Sequence, residues 1–358
     1  MADLTATIIT YNEGQNIQAC LESLTWVKEI IIVDSGSSDR TVEICRGYTD
    51  KVVINPWVGF VEQKNFAVSR ATYDWILNID ADERVSEELR HAIERELAAP
   101  RHDGYWIARR NYFLGRWMRH GGWYPDRVLR LFDRRKGRFG GLKVHERVVI
   151  SDGSTGVIDG YLVHATYRNV SQYIRKQDLY TGISAEECVK RGRRLGPVSG
   201  VELLLRPLIK FVQVYLLKRG FLDGMHGWIV AVGASYFNFF KYAKVWEAGL
   251  APDPIVDGGG TAHASAPGGL DGSSIHGRLR RLDTETQARA ESTDRLAGVG
   301  WVDVAVRPLL TFMNACLCRQ ACRRGLRGLV DATLMSFSTF VRSVKAWELL
   351  MSRERSLE

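Results

Sequence analysis

The segment Trp75-Ile76-Leu77-Asn78-Ile79-Asp80-Ala81-Asp82-Glu83 is an apolar run that closes on two aspartates one residue apart. An unbroken apolar run of this length reads as a strand buried on both faces. Positions i and i+2 of a strand share a face, so Asp80 and Asp82 can approach one divalent cation as the strand gives way to a turn. Hard oxygen donors suit Mg2+ or Mn2+ held between protein and a diphosphate. Carboxylates at a strand's carboxyl end also face the crevice where open α/β sheets bind ligands. The competing structural reading is a strand followed by a helix whose N-terminus Asp82 or Glu83 caps.

The residues upstream repeat the pattern. Residues 6–13 form a short apolar strand ending in Thr10, Asn12 and Glu13, and Asn12 is expected to cap a helix reaching Leu24. Glu29-Ile30-Ile31-Ile32-Val33-Asp34 is a second buried strand with a terminal carboxylate. Turn residues 35–39, a helix over 40–48, a strand over 51–54 and a helix over 63–71 lead back to the opening segment. Alternating strands and helices imply a parallel sheet with right-handed crossovers. Three strands then end in polar groups on one edge: Thr10 and Asn12, Asp34, and Asp80 with Asp82. Asp34 has the chemistry to accept hydrogen bonds from a base or ribose. No Gly-x-Gly-x-x-Gly and no Gly-Lys-Ser/Thr loop is present, which disfavours dinucleotide dehydrogenases and P-loop phosphotransferases.

Thr-Ile-Ile-Thr-Tyr-Asn-Glu (7–13), Ile-Val-Asp-Ser-Gly-Ser-Ser-Asp-Arg-Thr (32–41), Gln63-Lys64-Asn65 and Leu-Asn-Ile-Asp-Ala-Asp-Glu (77–83) together resemble a family 2 glycosyltransferase of the GT-A fold. The likeness runs over about residues 4–247 and is greatest to bacterial lipopolysaccharide-core β-1,4-glucosyltransferases. It implies an α/β, Rossmann-like, mostly parallel central sheet flanked by helices. It also implies a UDP-glucose-like donor, a divalent cation and inversion at the anomeric carbon. Under it Asp34 holds uracil or ribose, Asp80 and Asp82 hold ribose and the metal-bound diphosphate, and Lys64 and Asn65 lie near the nucleotide. For Lys64 an exposed helix surface is an equally good reading.

The middle of the chain is expected to build the acceptor side. His120-Gly121-Gly122-Trp123-Tyr124-Pro125-Asp126-Arg127 reads as a glycine-hinged loop, with Trp123 and Tyr124 offering flat faces to a sugar ring or else packing in a core. Arg127 and Arg130 lie on opposite faces of a regular strand over 127–132, so one of them is expected to meet a phosphate. Inverting transfer needs a base for the acceptor hydroxyl. In the resembling family a carboxylate after the Asp-x-Asp serves. Glu146, in Val144-His145-Glu146, is the first candidate and Asp126 the second. A surface ion pair is the alternative for Glu146. His164 ends another strand and is expected to complete the metal site or touch the diphosphate; a structural histidine is the alternative.

The chain carries 49 Lys and Arg against 41 Asp and Glu, a net +8. Residues 101–147 hold thirteen basic against four acidic residues, a surface suited to anionic lipid or a phosphorylated, lipid-linked saccharide. No nucleic-acid motif accompanies it, so nucleic acid is not an expected partner. The six cysteines show no disulfide or zinc spacing, and no signal peptide is visible. The expected domains are a GT-A catalytic domain over 1–170, a helical, membrane-interfacial segment over 171–247, a Gly/Pro-rich linker with a short helix over 248–300, and a helical hairpin over 301–358. That hairpin repeats 206–247 at a spacing of 101: Arg206-Pro207-Leu208 returns as Arg307-Pro308-Leu309, and Trp246-Glu247 as Trp347-Glu348. The apolar stretches are shorter than the roughly 20 residues that span a bilayer. In-plane amphipathic helices on an anionic membrane surface, with the protein cytoplasmic and peripheral on the cytoplasmic face of the inner membrane, are therefore expected. A homo-oligomer is compatible with the chain. A non-catalytic nucleotide-sugar-binding or membrane scaffold protein is the rival reading.

Overall fold

A computed structural model describes residues 3–142, 145–192, 199–249, 274–291, 299–318 and 320–357. It divides into two compact units: residues 1–119 with 123–166, and residues 120–122 with 167–358. Most of the linker, 250–273, lies outside the described residues.

The first unit runs β1 (Leu4–Thr10), α1 (Ile17–Glu22), β2 (Glu29–Asp34), α2 (Thr41–Arg46), β3 (Val52–Ile54), α3 (Phe60–Ser69), β4 (Trp75–Asp80), β5 (Glu83–Val85) and α4 (Glu87–Ala98). It continues with β6 (Gly104–Phe113), β7 (Arg116–Trp117), β8 (Asp126–Asp133), β9 (Gly137–Leu142), β10 (His145–Ile150) and β11 (Thr155–Tyr167). The main sheet has the order β3-β2-β1-β4-β8-β6-β11-β5, with β7 on β6, and β9 and β10 form a separate ribbon. The first four strands in this order pair in parallel, whereas β8 joins β4, and β6 joins β8, antiparallel. The sheet is thus parallel over β3-β2-β1-β4 and antiparallel beyond β4.

Both faces of the parallel half are covered, which explains the unbroken apolar runs. Ile30, Ile32, Leu77 and Ile79 pack with Ile17, Leu21, Leu89 and Ile93 of α1 and α4. The alternate positions Ile31, Val33 and Ile76 pack with Ala67 and Val68 of α3 and with Phe139 and Val148 of the ribbon. Asn78 and Asp80 share the face of Ile76 and so point to the α3 side. The first helix is shorter than the sequence suggests, and Asn12 does not cap it. Asn12 takes a left-handed φ of 54°. Its Oδ1 accepts the Ser38 N–H at 2.8 Å, which ties β1's end to the loop after β2. Asn16 sits at the N-cap position instead.

The second unit is helical: α5 (Val170–Lys190), α6 (Ser199–Phe211), α7 (Gly224–Ala248), α8 (Ile275–Glu291), α9 (Arg307–Leu317) and α10 (Gly325–Leu357). The 101-residue repeat appears as two helix–3-10 turn–helix hairpins, with turns at Gly220–Asp223 and Ala321–Arg324. Corresponding residues even share left-handed backbones: Arg219 and Gln320 at 55° and 52°, Gly224 and Gly325 at 60° and 64°.

The short helix expected within the linker is α8, and it belongs to the repeat as a third helix. Lys244 Nζ binds Asp178 Oδ1 at 2.7 Å, and its counterpart Lys345 binds Asp283 Oδ1 at 2.7 Å. Asp178 and Thr181 of α5 correspond to Asp283 and Thr286 of α8 at a spacing of 105 (283 − 178 = 286 − 181). The second copy is four residues shorter before its hairpin, which hides α8 from an ungapped register. The two three-helix modules cap one another reciprocally. Glu348 accepts the Val170 N–H at 3.1 Å, and Glu247 accepts the Ile275 N–H at 2.9 Å. Tyr236 packs at a tilt on its own counterpart, Phe337, with centroids 4.6 Å apart and an interplanar angle of 57°. Such exchange is the pattern of an internal two-fold.

Candidate functional site

Register delivers the carboxyl ends of three strands to one edge. Thr10 lies opposite Asp34, and Ile9 opposite Asp80. Asp34 is fully buried. Its Oδ1 accepts the N–H groups of Gly36 and Ser37 at 2.9 and 2.7 Å, and its Oδ2 accepts the Ser37 hydroxyl. It therefore shapes the turn after β2. Thr10 Oγ1 is buried with no hydrogen-bond partner among the described residues. Glu13 Oε2 accepts from the Asn16 amide at 2.6 Å.

Asp80 lies between two cations. Its Oδ1 is 2.9 Å from Lys64 Nζ, and its Oδ2 meets the Arg130 guanidinium. Burial alone would raise its pKa. Arg130, with Lys64 next, outweighs that and holds the carboxyl far below the usual range. Lys64 is 1% exposed, so the helix-surface alternative for it is excluded. Its ammonium also binds Glu146 Oε1 at 2.9 Å, joining the Asp-x-Asp strand to β10. Asn65 acts on the same ribbon. Its amide donates to Phe139 O at 3.0 Å and accepts the Phe139 N–H at 2.9 Å, so both amide groups are engaged by protein backbone.

Arg130 was expected on the acceptor side with Arg127. It is instead 6% exposed, bound by Asp80, by Glu83 at 3.1 Å and by Asn78 at 2.8 Å. Its charge is already matched inside, and Arg127 is the exposed member of the pair. Glu83 is fully buried and accepts the Asp80 N–H at 3.0 Å. It thereby fixes the turn between β4 and β5, a role different from helix capping, which Ser86 performs at α4. Arg109 binds Glu83 at 3.3 Å and Asp126 at 2.7 Å.

Asp82 faces the opposite way from Asp80's cations. Pairing of β5 with β11 sets Glu83 opposite His164, which brings His164 Nε2 to 3.5 Å from Asp82 Oδ2. The other ring nitrogen lies 2.6 Å from Asn111 Oδ1, and the Asn111 amide donates to Asp126 at 3.0 Å. Burial disfavours the charged ring, but the Asp82 hydrogen bond and charge outweigh it and raise the His164 pKa. One connected network thus runs Glu146–Lys64–Asp80–Arg130–Glu83–Arg109–Asp126–Asn111–His164–Asp82. It contains five carboxylates, three fixed cations and the His164 ring.

The carboxylate oxygens of Asp82 and the imidazole of His164 are donor types that fit a divalent cation. No group of three metal-binding side chains is preassembled among the described residues. Glu83, Arg109, Asn78 and Asn111 were not singled out as site residues from sequence. Polar residues at positions 78, 109 and 111, inside strands otherwise apolar, are the signal that would have found them. On the acceptor side, Trp123 packs edge-on to Phe113 at 5.9 Å, and Tyr124, 38% exposed, packs on Trp117 at 5.5 Å.

A parallel edge where three strands end in polar groups, an antiparallel extension and an Asp-x-Asp at their junction are the features of a GT-A fold. The chain belongs to glycosyltransferase family 2: the model described as "Glycosyl transferase family 2" matches residues 5–155. The lipopolysaccharide core biosynthesis glycosyltransferase LpsC of Rhizobium meliloti is 33% identical over 267 residues, 71% of this chain and 96% of that protein. An uncharacterized glycosyltransferase of Rickettsia prowazekii, RP128, is 27% identical over 72% of this chain and 91% of its own length. Among solved structures, S. aureus TarS 1-349 in complex with UDP-GlcNAc matches at TM-score 0.33 and 15% identity, covering 69% of this chain and 84% of that one.

Proposed function

We propose that this glycosyltransferase moves a hexose, glucose from UDP-glucose in our reading, to a hydroxyl of a phosphorylated, lipid-linked saccharide such as lipopolysaccharide core, with inversion. The observation that carries the reading is Lys64, whose ammonium holds Asp80 and Glu146 at 2.9 Å each. A general base and the diphosphate site thereby share one cation. Glu146 takes the proton of the acceptor hydroxyl as its oxygen attacks the anomeric carbon, opposite the leaving diphosphate. Asp126, held by Arg109 and Asn111, is the second candidate for that role. Asp82 and His164 would hold Mg2+ or Mn2+, which neutralises charge on the departing nucleoside diphosphate. Thr10, Asn12, Glu13 and Asp34 form the nucleotide side. Trp123, Tyr124 and Arg127 meet the acceptor's ring and phosphate. The name of the Rhizobium meliloti relative supports the acceptor class.

The enzyme works as a peripheral protein on an anionic membrane surface, at the cytoplasmic face of the inner membrane. No described helix is long and apolar enough to cross a membrane, and exposed apolar residues on α6 supply the contact. The test is UDP release from UDP-glucose, UDP-galactose and UDP-GlcNAc with Mg2+, Mn2+ or EDTA. Metal-dependent release from UDP-glucose is expected, and Glu146→Gln should bind UDP yet lose transfer. Nucleotide binding without turnover under every condition would favour the scaffold reading.

A further inference from the structure

The second helical module, α8–α10, has no part in the chemistry described above, yet it keeps one feature of the first. The residues facing inward are equivalent in the two copies: Leu203 and Val304 are buried, as are Val214 and Ala315. The residues facing outward are equivalent too. Leu208 and Leu309 are 59% and 65% exposed, Ile209 and Leu310 63% and 60%, and Leu216 and Leu317 52% and 68%. Many other positions have diverged in chemistry, such as Val230 against Asp331 and Asp223 against Arg324. Apolar side chains repeated at exposed positions of both copies are not explained by folding, because the inward faces already supply the core and the module contacts. Contiguous exposed apolar surface marks a docking site.

Charge identifies the occupant. Each strip contains one acid, and each is neutralised by an equivalent arginine: Glu202 by Arg206 at 3.2 Å, Asp303 by Arg307 at 2.9 Å. Exposed basic side chains stand at each hairpin turn, Lys218 and Arg219 in the first, Arg323 and Arg327 in the second. An apolar strip with basic flanks and matched acids suits the headgroup boundary of an anionic bilayer. We propose that the second module is a second membrane foot, so that one chain engages an anionic lipid surface through two equivalent apolar strips. This rests on the peripheral-membrane reading above and assigns the role of the duplicated module within it. Two weak contacts on one chain multiply through effective concentration, which a single amphipathic hairpin cannot achieve.

The experiment measures sedimentation of the full chain with phosphatidylcholine vesicles, with and without phosphatidylglycerol. The variants are L208D/I209D, L309D/L310D and the four-fold combination. All altered positions are exposed, so folding is expected to persist, and circular dichroism melting checks it. Each double variant should weaken binding to anionic vesicles about tenfold or more, and the combination should abolish it. UDP release in detergent-free solution should be unchanged in all three. Wild-type vesicle affinity in L309D/L310D beside loss in L208D/I209D would overturn the second foot. Conversion of a wild-type dimer to a monomer by L309D/L310D, read by light scattering, would assign the strip to self-association and overturn it too. Absent UDP release with the expected vesicle pattern would refute the catalytic reading and leave the foot standing.

Discussion

The Lys64 ammonium stands 2.9 Å from the Glu146 carboxylate across 82 residues of sequence, and the same nitrogen is 2.9 Å from Asp80. A buried ammonium between two carboxylates is shared by both and fixes their separation. Removing one partner of such a group leaves the rest uncompensated, at about 3 kcal/mol. Lys64→Met should therefore lower stability in urea by about that amount and reduce UDP release by at least about a hundredfold. Lys64→Arg keeps the charge but not the point geometry and should recover stability more than turnover. Turnover of Lys64→Met within a few-fold of wild type would separate this lysine from the reaction.

Two carboxylates compete for the role of base, and their partners differ. Glu146 is held by the single Lys64 ammonium, whereas Asp126 accepts from the Arg109 fork and from Asn111. A carboxylate fixed by several donors serves better as an anchor than as a proton acceptor. Glu146→Gln should cost about 100- to 10,000-fold in kcat with little change in UDP affinity. Asp126→Asn should act mainly on KM for the acceptor and on melting temperature. The reverse pattern in steady-state kinetics would exchange the two roles.

The strands and the Asp-x-Asp were legible because burial on both faces writes itself as an apolar run, and a carboxylate that ends such a run marks the ligand edge of the sheet. The destinations of Lys64, Asn65 and Arg130 were not. Each lies on an element whose facing depends on tertiary packing: α3 against the ribbon, β8 against β4. Arg130 is buried because Asp80, Glu83 and Asn78 supply partners from the neighbouring strand and its turn. The hairpin repeat was legible from Arg-Pro-Leu and Trp-Glu. Its third helix was expected only as a short helix within the linker, since a four-residue shift moved its matches, Asp178/Asp283 and Thr181/Thr286 among them, to a spacing of 105.

The hairpin turns make a paired test of the repeat. A Cβ on Gly227 would lie 1.8 Å from Gly220 O, and one on Gly328 would lie 1.6 Å from Ala321 O. Both contacts are with backbone, so neither can be relieved by rotating a side chain. Gly227→Ala and Gly328→Ala should each destabilise by about 3 kcal/mol. Gly249→Ala, whose Cβ would be no closer than 3.4 Å to its neighbours, should be neutral within error in the same denaturant series. A neutral Gly328→Ala beside a damaging Gly227→Ala would show that the second turn is not built like the first.

Glu348 gives the helical unit a pH dependence of known sign. Burial, opposed only partly by the Val170 N–H and by Lys345, pushes its carboxyl up to about 7. A carboxyl whose pKa is raised on folding stabilises the native state when protonated. That contribution is complete below the unfolded value near 4.5 and is lost as pH rises through about 7. Partial solvent screening limits it to about 2 kcal/mol. Glu348→Gln keeps an oxygen for the Val170 N–H but cannot titrate. The melting temperature of the wild type should thus fall between pH 5 and pH 8 by several degrees more than that of the variant, by about the shift expected for 1–2 kcal/mol. Parallel melting curves of the two proteins across that range would mean that Glu348 is ionised in the folded state throughout, and that its cap on α5 is made by the charged form.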